Sequence, residues 1–70
     1  MKYQTELEGK QVTLIYKPTA KSKWHIGYIN LSYSLVTFDY AKALAKQESY
    51  YDWKFVKGAV FSRHELPIDN

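Results

Sequence analysis

The hydrophobic period of this chain changes twice between Tyr3 and Phe55, and that restricts it to a mixed fold of strands and helix. Up to Tyr28, residues alternate: Tyr3, Thr5 and Leu7 against Gln4, Glu6 and Glu8; Val12, Leu14 and Tyr16 against Gln11, Thr13 and Ile15; Trp24, Ile26 and Tyr28 against His25, Gly27 and Ile29. A period of two marks a half-exposed strand. From Phe38 the spacing becomes helical, with Phe38, Ala41, Leu44 and Ala45 on one side and Lys42, Lys46 and Ser49 on the other. This predicts an amphipathic helix over 38–49. Thr37 is placed to cap it and Asp39 suits the positive end of its dipole. Tyr51, Trp53 and Phe55 then alternate with Asp52, Lys54 and Val56, a return to strand.

Turn residues divide the extended segments. Gly9 is read as the centre of a hairpin joining Tyr3–Leu7 to Val12–Tyr16, which makes the N-terminal strand a sheet edge. Pro18 lacks an amide donor and ends the second strand. Asn30–Ser32 reads as a bend, Tyr33–Thr37 as a fourth strand, and Ala59–Ser62 as an extended segment able to pair back after Lys57-Gly58. Pro67 closes the ordered part and residues 67–70 are expected to fray. The expected architecture is α+β, a small antiparallel sheet of four to five strands packed against one helix (about 38–49). A small SH3-like or OB-like β-barrel with a helical insertion is the alternative. The expected core is Val12, Leu14, Trp24, Ile26, Phe38, Ala41, Leu44, Ala45, Trp53 and Phe55, leaving the sheet face away from the helix as the working surface.

Seventy residues bound this to a single domain, residues 1–70. A chain of this size buries only about 60% of its unfolded surface. With no cysteine, disulfides and thiolate metal ligands are excluded as reinforcement. Aromatic mass substitutes: twelve residues are Phe, Trp or Tyr, each able to bury roughly 150–250 Å². Seven are tyrosines, too many for so small a core to supply every hydroxyl with a partner, so some must face water. No apolar run approaches membrane-spanning length and no signal-peptide pattern is present, so the expected location is cytoplasmic, without membrane contact.

The net charge of +3 is concentrated in one segment. Lys10, Lys17, Lys21 and Lys23 lie between Gly9 and Phe38 with no carboxylate among them, whereas residues 39–70 balance to zero. Such a field favours an acidic partner, either nucleic acid or an acidic protein surface. The inventory for catalysis is thin. His25 and His64 belong to no metal-spaced or nucleophile-activating motif, the carboxylates have no spacing that pairs them, and Gly9, Gly27 and Gly58 are isolated. No catalytic residue, metal or cofactor is expected, and the chain reads as a non-enzymatic binding module.

Two binding classes fit. Nucleic acid needs mobile cations for phosphates and flat rings for bases, and Lys17, Lys21 and Lys23 stand beside Trp24, Tyr28 and Tyr33. The bland reading is a solvated lysine loop next to ordinary core rings. A strand beginning Lys23-Trp24, then Leu35-Val36-Thr37-Phe38-Asp39 leading into a helix with several alanines, resembles the three-strands-then-helix layout of AP2-type and integrase arm-binding DNA domains. That resemblance covers about a third of the chain and implies a sheet lying in the major groove with the helix behind it. The alternative is an inhibitor or adaptor of the phage or mobile-element kind, binding a protein through an aromatic patch of Tyr50, Tyr51 and Trp53. A homodimer through the sheet edge is a further expectation.

Overall fold

The structure, a computed structural model, describes residues 2–62, His64 and Leu66. A 3-10 turn (Thr5–Leu7) is followed by β1 (Gln11–Lys17), β2 (His25–Ser32), helix α1 (Leu35–Glu48) and β3 (Asp52–Lys57). The strands form one antiparallel sheet in the order β2-β1-β3. The α+β class and the single covering helix stand, but among the described residues the sheet has three strands and is open, so neither a fourth or fifth strand nor a closed barrel forms. The helix follows the second strand and precedes the third, unlike the three-strands-then-helix layout of the DNA-binding domains named above.

The N-terminal hairpin is replaced because β1 is the central strand. Both its edges are taken, by β2 from Gln11 to Tyr16 and by β3 from Val12 to Lys17, so Tyr3–Leu7 has no edge to pair with. It winds instead into a short turn, with the Leu7 amide bonded to the Gln4 carbonyl (3.0 Å) and Glu8 to Thr5 (3.1 Å). That winding brings Tyr3 and Leu7 together onto the helix-side core. The sheet edges are therefore β2 and β3, not the N-terminal segment.

Residues 33–37 are not a strand, and the helix starts three residues earlier than the spacing implied. Ser34 is the cap: its backbone is extended (φ −157°) and its hydroxyl oxygen accepts the Thr37 amide at 3.2 Å. A capping serine with an acceptor for the third helical amide satisfies a donor that would otherwise stay open. Thr37 lies inside the first turn, and its own hydroxyl donates to the Ser32 carbonyl (2.7 Å). The helix ends on Ser49 in the left-handed region (φ 58°), with Ser49 bonded to Lys46 and Tyr50 to Ala45, the paired bonds of a Schellman ending.

β1 is buried on both faces, which explains why Val12–Ile15 are four consecutive buried residues. On the helix side, Val12, Leu14, Tyr33, Phe38, Ala41 and Phe55 form one core. On the opposite side, Ile15, Trp24, Val56, Val60 and Leu66 form a second. The sheet face away from the helix is thus no open working surface; Trp24 and the segment after β3 cover it. Ala59–Ser62 adds no strand but is tied down by Thr13, whose fully buried hydroxyl donates to the Gly58 carbonyl (2.8 Å) and accepts from the Val60 amide (3.0 Å). Gly58 permits this turn because its φ is +95°, a region where a side chain is strained. Trp53, Leu44 and Ile26 sit at the margins of the cores and are partly buried. The tail 67–70 lies outside the described residues. No helix among the described residues is long and apolar enough to cross a membrane.

Candidate functional site

The lysine loop is an ordered turn. β1 ends at Lys17, Pro18 follows, and residues 19–22 close on themselves through Ser22 N–H to the Thr19 carbonyl (3.2 Å) and a Thr19–Ser22 hydroxyl pair (2.7 Å). Lys21 sits near the tip of this turn and Lys23 just beyond it, both exposed. Trp24 then brings the chain back to the sheet, where its ring is buried against the second core.

Two lysines converge on that ring from neighbouring strands. Lys17 Nζ lies 5.4 Å from the Trp24 ring centroid and Lys54 Nζ 5.0 Å. Both distances are within the roughly 6 Å over which a ring's negative face attracts an ammonium. Residues 15 and 54 are register partners in β1 and β3, so Ile15, Lys17, Lys54 and Val56 all point to the face that holds Trp24. Lys17 and Lys54 thus meet over one buried tryptophan, with Lys21 and Lys23 exposed on the turn that leads into it. Lys54 escaped sequence reasoning because it lies 31 positions beyond Lys23; its alternation against Trp53 and Phe55 was the available signal, and only the β1–β3 register gave it a direction.

Of the rings assigned to base stacking, only Trp24 meets the lysines, and none of the three is an open platform beside them. Tyr33 has no solvent exposure and is packed between Tyr3 (ring centroids 5.0 Å, stacked) and Phe55 (5.1 Å, edge-on), while its hydroxyl accepts the Gln4 amide at 2.9 Å. It is a core residue, and no base can reach it. Trp24 is buried, so it anchors cations and offers no platform. Tyr28 is 44% exposed but pairs with Leu14, on the helix side of the sheet. The predicted ring that does stand beside the lysines, Trp24, is buried.

The Tyr50–Tyr51–Trp53 patch also separates. Trp53 packs with Phe38 (5.8 Å) and Phe55 (6.1 Å) at the core margin. Tyr50, placed by the helix ending, stacks on Tyr16 at 4.2 Å, and Tyr16 stacks in turn on His25 at 5.5 Å. Tyr51 alone of the three is well exposed.

A different apolar surface exists between β2 and the first turns of α1. A groove of about 390 Å³ is lined by Leu14, Tyr28, Leu31, Val36, Tyr40 and Ala41, with Thr37. Tyr28 and Tyr40 meet at its mouth, rings 6.1 Å apart and nearly perpendicular, hydroxyls 3.5 Å apart. The Tyr40 hydroxyl is held above its ordinary pKa of 10.0, first by its hydrogen bond with Tyr28 and then by the same neighbour's charge. Val36 was missed because 33–37 read as strand, and Tyr40, inside the expected helix, then had no i, i+4 partner; the pair following a serine cap was the signal in hand.

Among the described residues no three His, Cys, Asp or Glu side chains gather in a metal-binding group. Compared with protein-family models, with curated proteins and with solved structures, the chain matches none.

Proposed function

We propose that this protein is a non-catalytic binding module that holds the phosphate backbone of nucleic acid on the cluster of Lys17, Lys21, Lys23 and Lys54. The observation that carries the reading is the arrival of Lys17 and Lys54, from two strands, over the one buried ring of Trp24. A cation resting on a ring is less free than one on an open strand, so less side-chain entropy is lost when a phosphate arrives. Lys21 on the closed 19–22 turn and Lys23 just after it are exposed and would add two further cations. The turn's hydroxyls, the lysines and the absence of any arginine among these four positions favour contact with phosphate oxygens over recognition of base edges. Binding of this type is largely indifferent to sequence.

Counterion release makes the proposal quantitative. Four phosphate contacts give a slope near −3.6 in log affinity against log salt for duplex DNA, or about two orders of magnitude lost between roughly 50 and 200 mM. Fluorescence anisotropy with a labelled duplex and a labelled single strand measures this directly. Replacing all four lysines by Gln is expected to reduce affinity by about 100-fold at low salt and flatten the slope, while Lys2→Gln with Lys10→Gln leaves both nearly unchanged. Equal affinity for the fourfold variant and the parent would remove the cluster from the function.

A further inference from the structure

We infer that the exposed ring of His25 is a stacking platform for an unpaired base, so that the ligand preferred at the lysine turn is single-stranded nucleic acid; this rests on the proposal that the lysines hold phosphates. A base inside a duplex has both faces covered by its neighbours in the stack. Only an unpaired base can lay its ring on a side chain, and histidine is among the side chains that take one.

Three rings stand in a column at one end of the sheet. Tyr50 stacks on Tyr16 with centroids 4.2 Å apart and planes inclined by 14°, and Tyr16 stacks on His25 at 5.5 Å and 24°. Each ring is carried by a fixed part of the backbone. Tyr50 is set by its amide bond to the Ala45 carbonyl (2.9 Å) at the helix end, Tyr16 lies in the central strand, and His25 is its register partner in β2. Gly27 makes room for the middle ring: a Cβ there would come within 3.4 Å of the Tyr16 ring and 3.3 Å of the Leu14 carbonyl.

The column ends in solvent at His25. Tyr16 and Tyr50 are half-buried and His25 is exposed, and β2 is an edge of the sheet, so among the described residues no strand lies beyond it. A ring backed by two others has little freedom left to lose when a base arrives, which is the condition for a low ordering cost on binding.

The same hairpin carries the cations. Tyr16 and His25 are paired at the base of the connection that holds Lys17, Lys21 and Lys23. Lys23 is two residues from His25, a Cα separation of at most about 7 Å, and Lys21 and Lys23 are exposed. Lys17 and Lys54 lie over Trp24 on the opposite face of the sheet. The turn therefore joins phosphate contacts on one side to a base contact on the other.

Fluorescence anisotropy at about 50 mM salt tests this with three labelled probes: an oligothymidylate, an abasic strand of the same length and a duplex. The parent protein should hold the oligothymidylate about tenfold more tightly than the abasic strand, the size of one base–ring stack. His25→Ala should abolish that preference, leave affinity for the abasic strand and the duplex unchanged, and keep the salt slope, since no phosphate contact is lost. His25→Phe, which retains a ring, should keep the preference. Circular dichroism checks that both variants are folded. A parent that binds oligothymidylate and abasic strand equally, a folded His25→Ala that keeps the preference, or a folded His25→Phe that loses it overturns the stacking and leaves the phosphate contacts standing. A parent that binds none of the three probes overturns both.

Discussion

The two faces of the sheet carry similar rings under very different covers. On one face a regular helix packs over Val12, Leu14 and Phe55, supported by its own backbone bonds and by the Ser34 and Ser49 caps. On the other an irregular segment reaches Val60 and Leu66 across Ile15 and Val56, held at the Thr13 hydroxyl. Between that helix and β2, Tyr28, Tyr40 and Val36 remain exposed and help line an apolar groove. The irregular cover leaves Trp24 buried with the ammonium groups of Lys17 and Lys54 over its ring. The same aromatic content thus lines an open apolar groove on one side and supports two lysines on the other. What differs is whether the adjacent strand positions carry Lys17 and Lys54 or Tyr16 and Tyr28.

The largest expected effect contrasts two tyrosines of the helix-covered side. Tyr33→Ala empties a site with no solvent exposure and should cost about 3–5 kcal/mol, a serious loss for a domain whose total stability is of the order of 5–15 kcal/mol. Tyr28→Ala, at the open groove, should cost less than about 1 kcal/mol. Urea unfolding of both variants measures the gap, and equal losses would mean that the groove is part of the core. On the segment-covered side, Thr13→Val keeps the shape of the side chain but removes both ends of the clasp to Gly58 and Val60. A loss of about 1–3 kcal/mol is expected. It should come with faster amide exchange at Val60 and unchanged exchange in α1. Exchange rising equally in the helix would show that the two covers unfold as one unit.

The smallest effect concerns alkaline pH and again separates the faces. Tyr50 is held above its ordinary value of 10.0, first by burial and then by the charges of Tyr16 and Glu48. Tyr40 is raised through Tyr28, and Tyr3 by desolvation. All three belong to the helix-covered side. A folded-state value above the unfolded one means the neutral hydroxyl is favoured by folding. That contribution is fully present below pH 10 and is lost as pH rises through the folded-state values. Stability should therefore be flat near neutrality and begin to fall above about pH 10. Ultraviolet titration should show these phenols ionising later than free tyrosine. A titration curve matching free tyrosine throughout would count against the packing described for them.

Local chemistry was legible where it acts through neighbours in the chain. The period change at Phe38, the alternation at 52–56 and the block imposed by Pro18 located a helix and two strands close to where they stand. The four-lysine excess before Phe38 pointed to the region of the cationic cluster. The errors at Tyr3–Leu7 and 33–37 have one cause. Alternation reports that a segment has two unlike faces, but not whether a strand edge is free to receive it. Tyr3 with Leu7, and Tyr33 with Phe38, bury rings just as well from a turn and a helix start.

What the sequence determined by itself was therefore a mixed fold with one helix after Thr37's neighbourhood, a core built from aromatics in the absence of cysteine, and a concentration of positive charge in one loop. Tertiary structure decided the rest: that β1 lies in the centre, that both its faces are covered, that Lys54 joins Lys17 over Trp24, and that Tyr33 is core while Tyr28 and Tyr40 open a groove. The physical reason is that strand order and register are set by the summed burial of residues far apart in the chain. One residue of register carries a side chain to the other face of the sheet, and no local pattern contains that information.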